Sequence, residues 1–341
     1  MERSILDSFL SQGKELQLLF RQFRDRTAVH AYLITGEKGT GKKTLARLLG
    51  ASLLCTSESD RPCGVCKNCI LTEKGEHPDL IIIEPGTPLA MSVKKDRQTI
   101  PVEDIREMIR LCGVRSTEGN MHVVLIFGAE KMTVQAQNCL LKTLEEPPSD
   151  TCMILVTDQP ESLLPTVLSR CRMIRLKAWD DDYVRKILRE RDISPEHIEA
   201  AVSASDGSVG KALEIAADDQ YWELREEVMK TFFSCSSRSE VIRISNAWKD
   251  RKQEADRILG ILGQFVTMMS EARFCPDKPT DLSGFPANWK RFSKKAEPES
   301  FVLLTESIAT ARNQLQYSVN FQAVMEKLLF TFIGEGSAWQ Q

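Results

Sequence analysis

Cys55, Cys63, Cys66 and Cys69 follow the spacing C-x7-C-x2-C-x2-C within CTSESDRPCGVCKNC. Tetrahedral Zn²⁺ takes four thiolates. Two C-x2-C turns present three of them from one loop, and Cys55 closes the set from the end of the preceding helix. A full four-ligand set leaves no open position, so the chemistry it predicts is structural rather than catalytic. Reduced cysteines in a surface loop are the plain alternative. A nucleic-acid-binding knuckle finds little support in the mixed charges of Glu58, Asp60, Arg61 and Lys67.

A second candidate is GEKGTGKK, Gly36 to Lys43, which fits the phosphate-binding pattern G-x-x-x-x-G-K-[ST] at Gly36, Gly41 and Lys42. In such a loop backbone N–H groups wrap phosphates at a helix N-terminus, the lysine neutralises charge, and a hydroxyl holds Mg²⁺. Lys43 stands where the hydroxyl belongs, and Thr44, one residue on, is turned by roughly 100° around the helix. Hydrolysis also needs an acidic pair at the end of the next core strand. VVLIFGAEK ends instead in Phe127, Gly128 and Ala129, and Glu130, two or three positions late, is expected to face elsewhere. Weak nucleotide binding through Gly36, Gly41 and Lys42 stays open, because binding needs fewer parts than hydrolysis. An ordinary glycine turn before a helix is the alternative. Finally, Ser169-Arg170-Cys171 carries an arginine that is either a plain surface charge or an arginine finger acting on phosphate held by a neighbouring subunit. The mechanics of the sequence do not choose between these.

These residues need a scaffold, and the first half of the chain alternates apolar runs with amphipathic ones, the pattern of βαβ units and a parallel sheet. Strands are expected at HAYLITG, DLIIIEP (79–85), HVVLIFG (122–128) and CMILVTD (152–158), with a shorter CRMIRLK (171–177). Helices are expected at KTLARLLGASLL, VEDIREMIRLCG and TVQAQNCLLKTLEE; the last is stopped by Pro147-Pro148. After Lys177 strand signals cease. Three short helices fill about 178–218, and longer ones lie near 219–234, 239–273 and 299–334. The polar, proline-containing CPDKPTDLSGFPANWK reads as a flexible insertion between them. The division predicted is 1–177 as an α/β core with the cysteine loop 55–69 inserted, 178–218 as a small helical domain, and 219–341 as an all-helical domain.

Bulk composition narrows the function classes. The chain of 341 residues is 27% charged and 42% hydrophobic with a net charge of -3, so it has no global basic field for nonspecific nucleic-acid binding. The N-terminus lacks the features of a signal peptide and no apolar run is long enough to span a membrane, so a reducing cytoplasmic setting is expected for the ten cysteines. Cys112, Cys139, Cys152, Cys171, Cys235 and Cys275 are scattered.

HAYLITGEKGTGKKTLARLLGASLLC, the cysteine loop, HPDLIIIEP, NCLLKTLEEPP, VTD and LSRC, taken together and in order, resemble the bacterial DNA polymerase III clamp-loader subunits of the AAA+ class. The likeness runs from about residue 13 to 215; beyond that it is general, with Asn320 to Leu329 the most familiar part. It implies an α/β AAA+ module with a parallel sheet and flanking helices, a small helical lid, and a C-terminal all-α collar through which subunits assemble. The motor subunits of that family, gamma and tau, carry a full phosphate loop, an Asp-Glu pair and a sensor arginine in the lid. This chain has Lys43, Phe127-Gly128 and Gly210 at those places, keeps Arg170, and matches the strand-end sensor position with Thr157. Loss of the parts that act in cis beside retention of the one that acts in trans looks like a stator: a subunit without ATPase of its own that offers Arg170 to ATP on an adjacent motor. The implied partners are gamma/tau and delta in a hetero-oligomeric ring of the DNA polymerase III holoenzyme, and through it the sliding clamp and primed DNA. The resemblance also carries over Cys55, Cys63, Cys66 and Cys69 as structural zinc ligands. The rival reading is a gamma/tau-like motor that hydrolyses ATP despite its altered loop. A zinc-bearing nucleic-acid-binding protein acting alone is a third, disfavoured by the acidic net charge.

Overall fold

The computed structural model describes residues 3–58, 60–90, 97–117, 121–148, 150–275, 280, 282, 284–317 and 319–337. They form two compact units, Met1–Val184 with Gly207–Gly210, and Arg185–Asp206 with Lys211–Gln341. The segment 178–218 is therefore shared between them.

In the first unit five parallel strands, β1 (Ala31–Thr35), β2 (Leu80–Ile83), β3 (His122–Phe127), β4 (Thr151–Thr157) and β5 (Arg172–Arg175), lie in the order β2-β3-β4-β1-β5. Their register sets Ile34 beside Val156 on one side and Ile174 on the other. The continuous apolar runs YLI, VVLIF and CMILV are buried on both faces, as a sheet covered by helices on each side requires. β5, at the edge, keeps only Ile174 buried. All five expected strands are present, with closer bounds.

The helices of this unit are α1 (Arg3–Ser11), α2 (Lys14–Arg24), α3 (Lys42–Leu54), α4 (Lys67–Lys74), α5 (Val102–Cys112), α6 (Val134–Glu145) and the short α7 (Pro165–Leu168); α8 (Asp181–Glu190) begins in it. α3 buries nearly every side chain after its first turn, among them Leu45, Leu48, Leu49 and Leu53. On the opposite face Ile105, Met108 and Cys112 of α5 and Leu140 and Leu144 of α6 join Leu33, Val124, Ile126 and Leu155 in one core. α2 carries Leu16, Leu19, Phe20 and Phe23 at helical spacing on its buried face. The strands end together on the side of the phosphate loop, where open α/β sheets present their ligand crevice. This is an open parallel α/β module covered by helices on both faces.

The second unit is all helical, with α9 (Pro195–Ser205), α10 (Val209–Ala216, which starts in the first unit), α11 (Asp219–Ser234), α12 (Arg238–Trp248), α13 (Ala255–Phe274), α14 (Ala287–Lys295), α15 (Pro298–Gln316) and α16 (Phe321–Ser337). Phe233 is its hub, meeting Phe265, Phe285, Trp289 and Phe332 edge-on. Asp218 caps α11, and Ser237 with Glu240 forms a capping box on α12. The insertion expected from Cys275 to Lys290 is corrected at its end: Ala287 onward is helical, because Pro286 suits a helix start and Trp289 and Phe292 supply a buried face. Residues 276–279, 281 and 283 of that segment lie outside the described residues. Among the described residues no helix is long and apolar enough to cross a membrane.

Candidate phosphate loop, cysteine centre and arginine site

The phosphate loop runs from the end of β1 to the first turn of α3. Gly36 lies at φ 143°, and a Cβ there would sit 2.8 Å from the Leu176 carbonyl oxygen, so the chain can pass only as glycine. Gly41 caps α3 in the left-handed region. Lys42 is buried, and its ammonium donates to the Gly36 and Glu37 carbonyls at 2.8 and 2.5 Å and pairs with Asp158 Oδ1 at 2.5 Å. Three acceptors match the three protons of the ammonium, so the loop itself uses the charge that a phosphate would call on.

Three consecutive loop carbonyls are held from outside. Ser208 Oγ donates to Lys38 O at 2.8 Å, the Gly210 N–H to Gly39 O at 2.9 Å, and Trp179 Nε1 to Thr40 O at 2.9 Å. Gly210 lies so close to the loop that a Cβ would stand 2.8 Å from Gly39 Cα. Phe9 lies over Gly41 and edge-on to Trp179, which stacks on Tyr183. Gly210 stands in the sequence where the resemblance puts a lid arginine; the cover formed by Phe9 and Trp179 is not legible there, because aromatic residues before and after the module look like ordinary core.

On the metal side of the loop, Lys43 Nζ pairs with Glu84 Oε2 at 3.0 Å and lies 5.0 Å from the centre of the Phe127 ring, with the Arg47 guanidinium 5.6 Å from the same ring. An ammonium thus sits on an anion and a π face at the positions where a hydroxyl and carboxylate would hold Mg²⁺. Glu84, at the end of β2, was not singled out by its sequence context. Glu130 faces the end of β4: the turn Ala129–Lys131 brings its Oε2 within 2.8 Å of Thr157 Oγ1, which donates to it, and the Thr157 hydroxyl in turn accepts from the Gln159 N–H. Its backbone turns back toward the end of β4 instead of continuing the line of β3.

Arg170 follows α7, whose C-cap is Ser169. Its Nε and Nη2 both donate to Glu145 Oε1, the former at 2.9 Å, while Nη1 donates to Thr166 O at 3.0 Å and Ser169 Oγ at 3.3 Å. The side chain is about one-third exposed. Cys171 turns inward against the sheet core, and burial pushes its thiol up to about 11.

The four clustered cysteines converge: their Sγ atoms all lie within 4.8 Å of one another, with Cys55 and Cys66 at 3.9 Å and Cys63 and Cys69 at 4.0 Å. Four sulfurs around one Zn²⁺ at tetrahedral geometry stand about 3.8 Å apart, so the set fits the ion closely. Backbone N–H groups of Cys66 and Cys69 point at the sulfurs of Cys63 and Cys66, as thiolate ligands require. Burial acts against the Cys66 thiolate, yet hydrogen bonds from Thr56 and from the Cys69 backbone outweigh it and bring that thiol down to about 6; burial pushes Cys55 and Cys69 up. Cys66 also caps α4, a helix that the cysteine spacing had concealed, and Asn68 ties α4 to α3 through the Leu54 carbonyl. No further cluster of this kind occurs among the described residues.

Comparison with known proteins gives the family of the chain. The family model described as DNA polymerase III, delta subunit, matches residues 11–180. DNA polymerase III subunit delta' of Bacillus subtilis (strain 168) is 34% identical over 324 residues, 93% of this chain and 95% of that protein. Subunit delta' of Escherichia coli (strain K12) is 36% identical over 199 residues, 58% of this chain and 57% of that one. Subunit tau of Salmonella typhimurium is 38% identical over 193 residues, 54% of this chain but only 28% of tau. A gamma subunit-related protein of known structure from Thermotoga maritima aligns with TM-score 0.43 at 16% identity, over 93% of this chain and 99% of that one. The likeness to tau covers about half of this chain, whereas the likeness to the Bacillus subtilis delta' covers 93% of it and so takes in much of the helical C-terminal part, and the chain belongs to the DNA polymerase III subunit delta' family.

Proposed function

We propose that this chain is a non-hydrolysing stator of the DNA polymerase III clamp loader, working in the cytoplasm. It supplies Arg170 in trans to ATP bound on an adjacent gamma/tau-type motor while the ring, with delta, places the sliding clamp on primed DNA. The observation that carries the reading is the Lys43-Glu84-Phe127 group, which puts an ammonium, its counter-ion and an aromatic ring where a motor needs a hydroxyl, Mg²⁺ and a carboxylate. The self-satisfied Lys42 and the covered loop support it, and nucleotide binding through Gly36, Gly41 and Lys42 is at most weak. Arg170 keeps partial exposure at the end of α7, as a group that reaches into a neighbour requires. The helices of 178–218 serve as the lid, the helices from 219 onward as the collar, and Cys55, Cys63, Cys66 and Cys69 hold a structural Zn²⁺.

The test is reconstitution with motor and delta subunits, followed by Arg170→Ala. The isolated chain is expected to release no phosphate from ATP, and the variant complex to lose about tenfold or more of its clamp- and DNA-stimulated turnover, a conservative expectation for an arginine finger. Robust hydrolysis by the pure isolated chain, or undiminished turnover with Arg170→Ala, overturns the reading.

A further inference from the structure

The guanidinium of Arg170 has five N–H donors, and four are engaged inside this chain: Nε and one Nη2 proton on Glu145 Oε1, and both Nη1 protons on Thr166 O and Ser169 Oγ. Recognition of a phosphate by two parallel hydrogen bonds needs two donors on one edge, and no edge has two left. Of the three acceptors, Thr166 and Ser169 belong to the arginine's own turn and move with it, whereas Glu145 is anchored separately at the end of α6. Glu145 also carries a full negative charge that offsets the guanidinium's and would repel an approaching phosphate.

We propose that Glu145 is the resting partner of Arg170, a positioning residue that holds the guanidinium withdrawn until a neighbour's phosphoryl oxygens displace its carboxylate. This rests on the reading of Arg170 as a finger acting in trans. The pair is half exposed on the Glu145 side, so the hold is modest and exchangeable, as a switch that operates in every cycle needs.

The experiment is steady-state phosphate release by the reconstituted clamp loader, without and with clamp and primed DNA, carrying this chain as wild type, Glu145→Gln, Arg170→Ala or both. Glu145→Gln is expected to raise the unstimulated rate roughly two- to fivefold, the range open to an exposed ion pair, and to narrow the ratio of stimulated to unstimulated rates. The gain is expected to vanish in the Arg170→Ala background and to shrink at high salt, which screens the wild-type pair. An unstimulated rate that is unchanged or lower with Glu145→Gln, while Arg170→Ala retains its defect, overturns the role of Glu145 alone. Wild-type turnover by Arg170→Ala overturns the finger itself and the hold with it.

Discussion

In the proposed stator Lys43 takes the place of a hydroxyl while the loop keeps its shape. Its ammonium is satisfied by Glu84 and by the face of Phe127, so restoring the hydroxyl alone leaves no carboxylate at position 127 to orient a metal. Lys43→Thr is therefore expected to leave phosphate release by the isolated chain at background, and to change stability by less than about 1 kcal/mol because the ion pair is largely exposed. Turnover clearly above background would show that Phe127 is no barrier. The missing hydroxyl was legible in the sequence as a break in a known spacing; the replacement partner was not, since Glu84 lies 41 residues away and only the sheet brings it near. The cysteines allow a second test at this scale. Burial raises Cys112 and Cys171 to about 11 and Cys152 to about 12, so near pH 8 only about one molecule in a thousand, or fewer, carries each thiolate, the reactive form. Exposed Cys275 is expected to be alkylated first, and those three only on unfolding; mass spectrometry of a labelling time course decides, with rapid labelling of Cys171 the contrary result.

Among the elements, α10 and the cysteine loop carry the sharpest expectations. Glycine in a helix usually gives way to alanine with a gain of up to about 1 kcal/mol, and Gly260 on α13, with open space around it, should behave so. Gly210 should reverse the sign. A Cβ there meets Gly39 Cα at 2.8 Å, so Gly210→Ala has to shift the backbone at 210 and strain the hydrogen bond to Gly39 O, at a cost of about 1–3 kcal/mol. Paired thermal melts of the two variants give the comparison, and stabilisation by both would mean that the close approach is unimportant. For the cysteine loop, Cys66→Ser removes one of the four sulfurs while leaving a hydroxyl that can still cap α4. Metal analysis is expected to find about one Zn²⁺ per wild-type chain and far less in the variant, with trypsin then cutting first at Lys67. A wild type without stoichiometric metal refutes the assignment. The parallel strands were legible because their apolar runs are continuous. α4 and the start of α14 were not, because cysteine spacing and proline-rich polarity masked short helices whose stability comes from tertiary burial.

The whole chain is two cores joined by sequence, one organised around the sheet and the other around Phe233 and its ring of aromatics. Its sequence announced the change of class near residue 178, where strand patterns stop. It did not announce that residues 207–210 return to the first unit, because that depends on hydrogen bonds such as Ser208 to Lys38 across 170 residues. Separate cores predict separable unfolding. All four clustered cysteines lie in the first unit, so a metal bound there stabilises that unit alone by mass action, and a strong chelator should lower only its transition. Tryptophans divide the signal usefully: Trp179 belongs to the first unit, while Trp222, Trp248 and Trp289 belong to the second. Calorimetry of the full chain is expected to resolve two transitions. Chelation should move one of them down by several degrees while the main change in tryptophan emission keeps its midpoint. A single transition that chelator shifts as a whole, with calorimetry and fluorescence in step, would mean that the two cores unfold as one cooperative body and that the metal loop supports both.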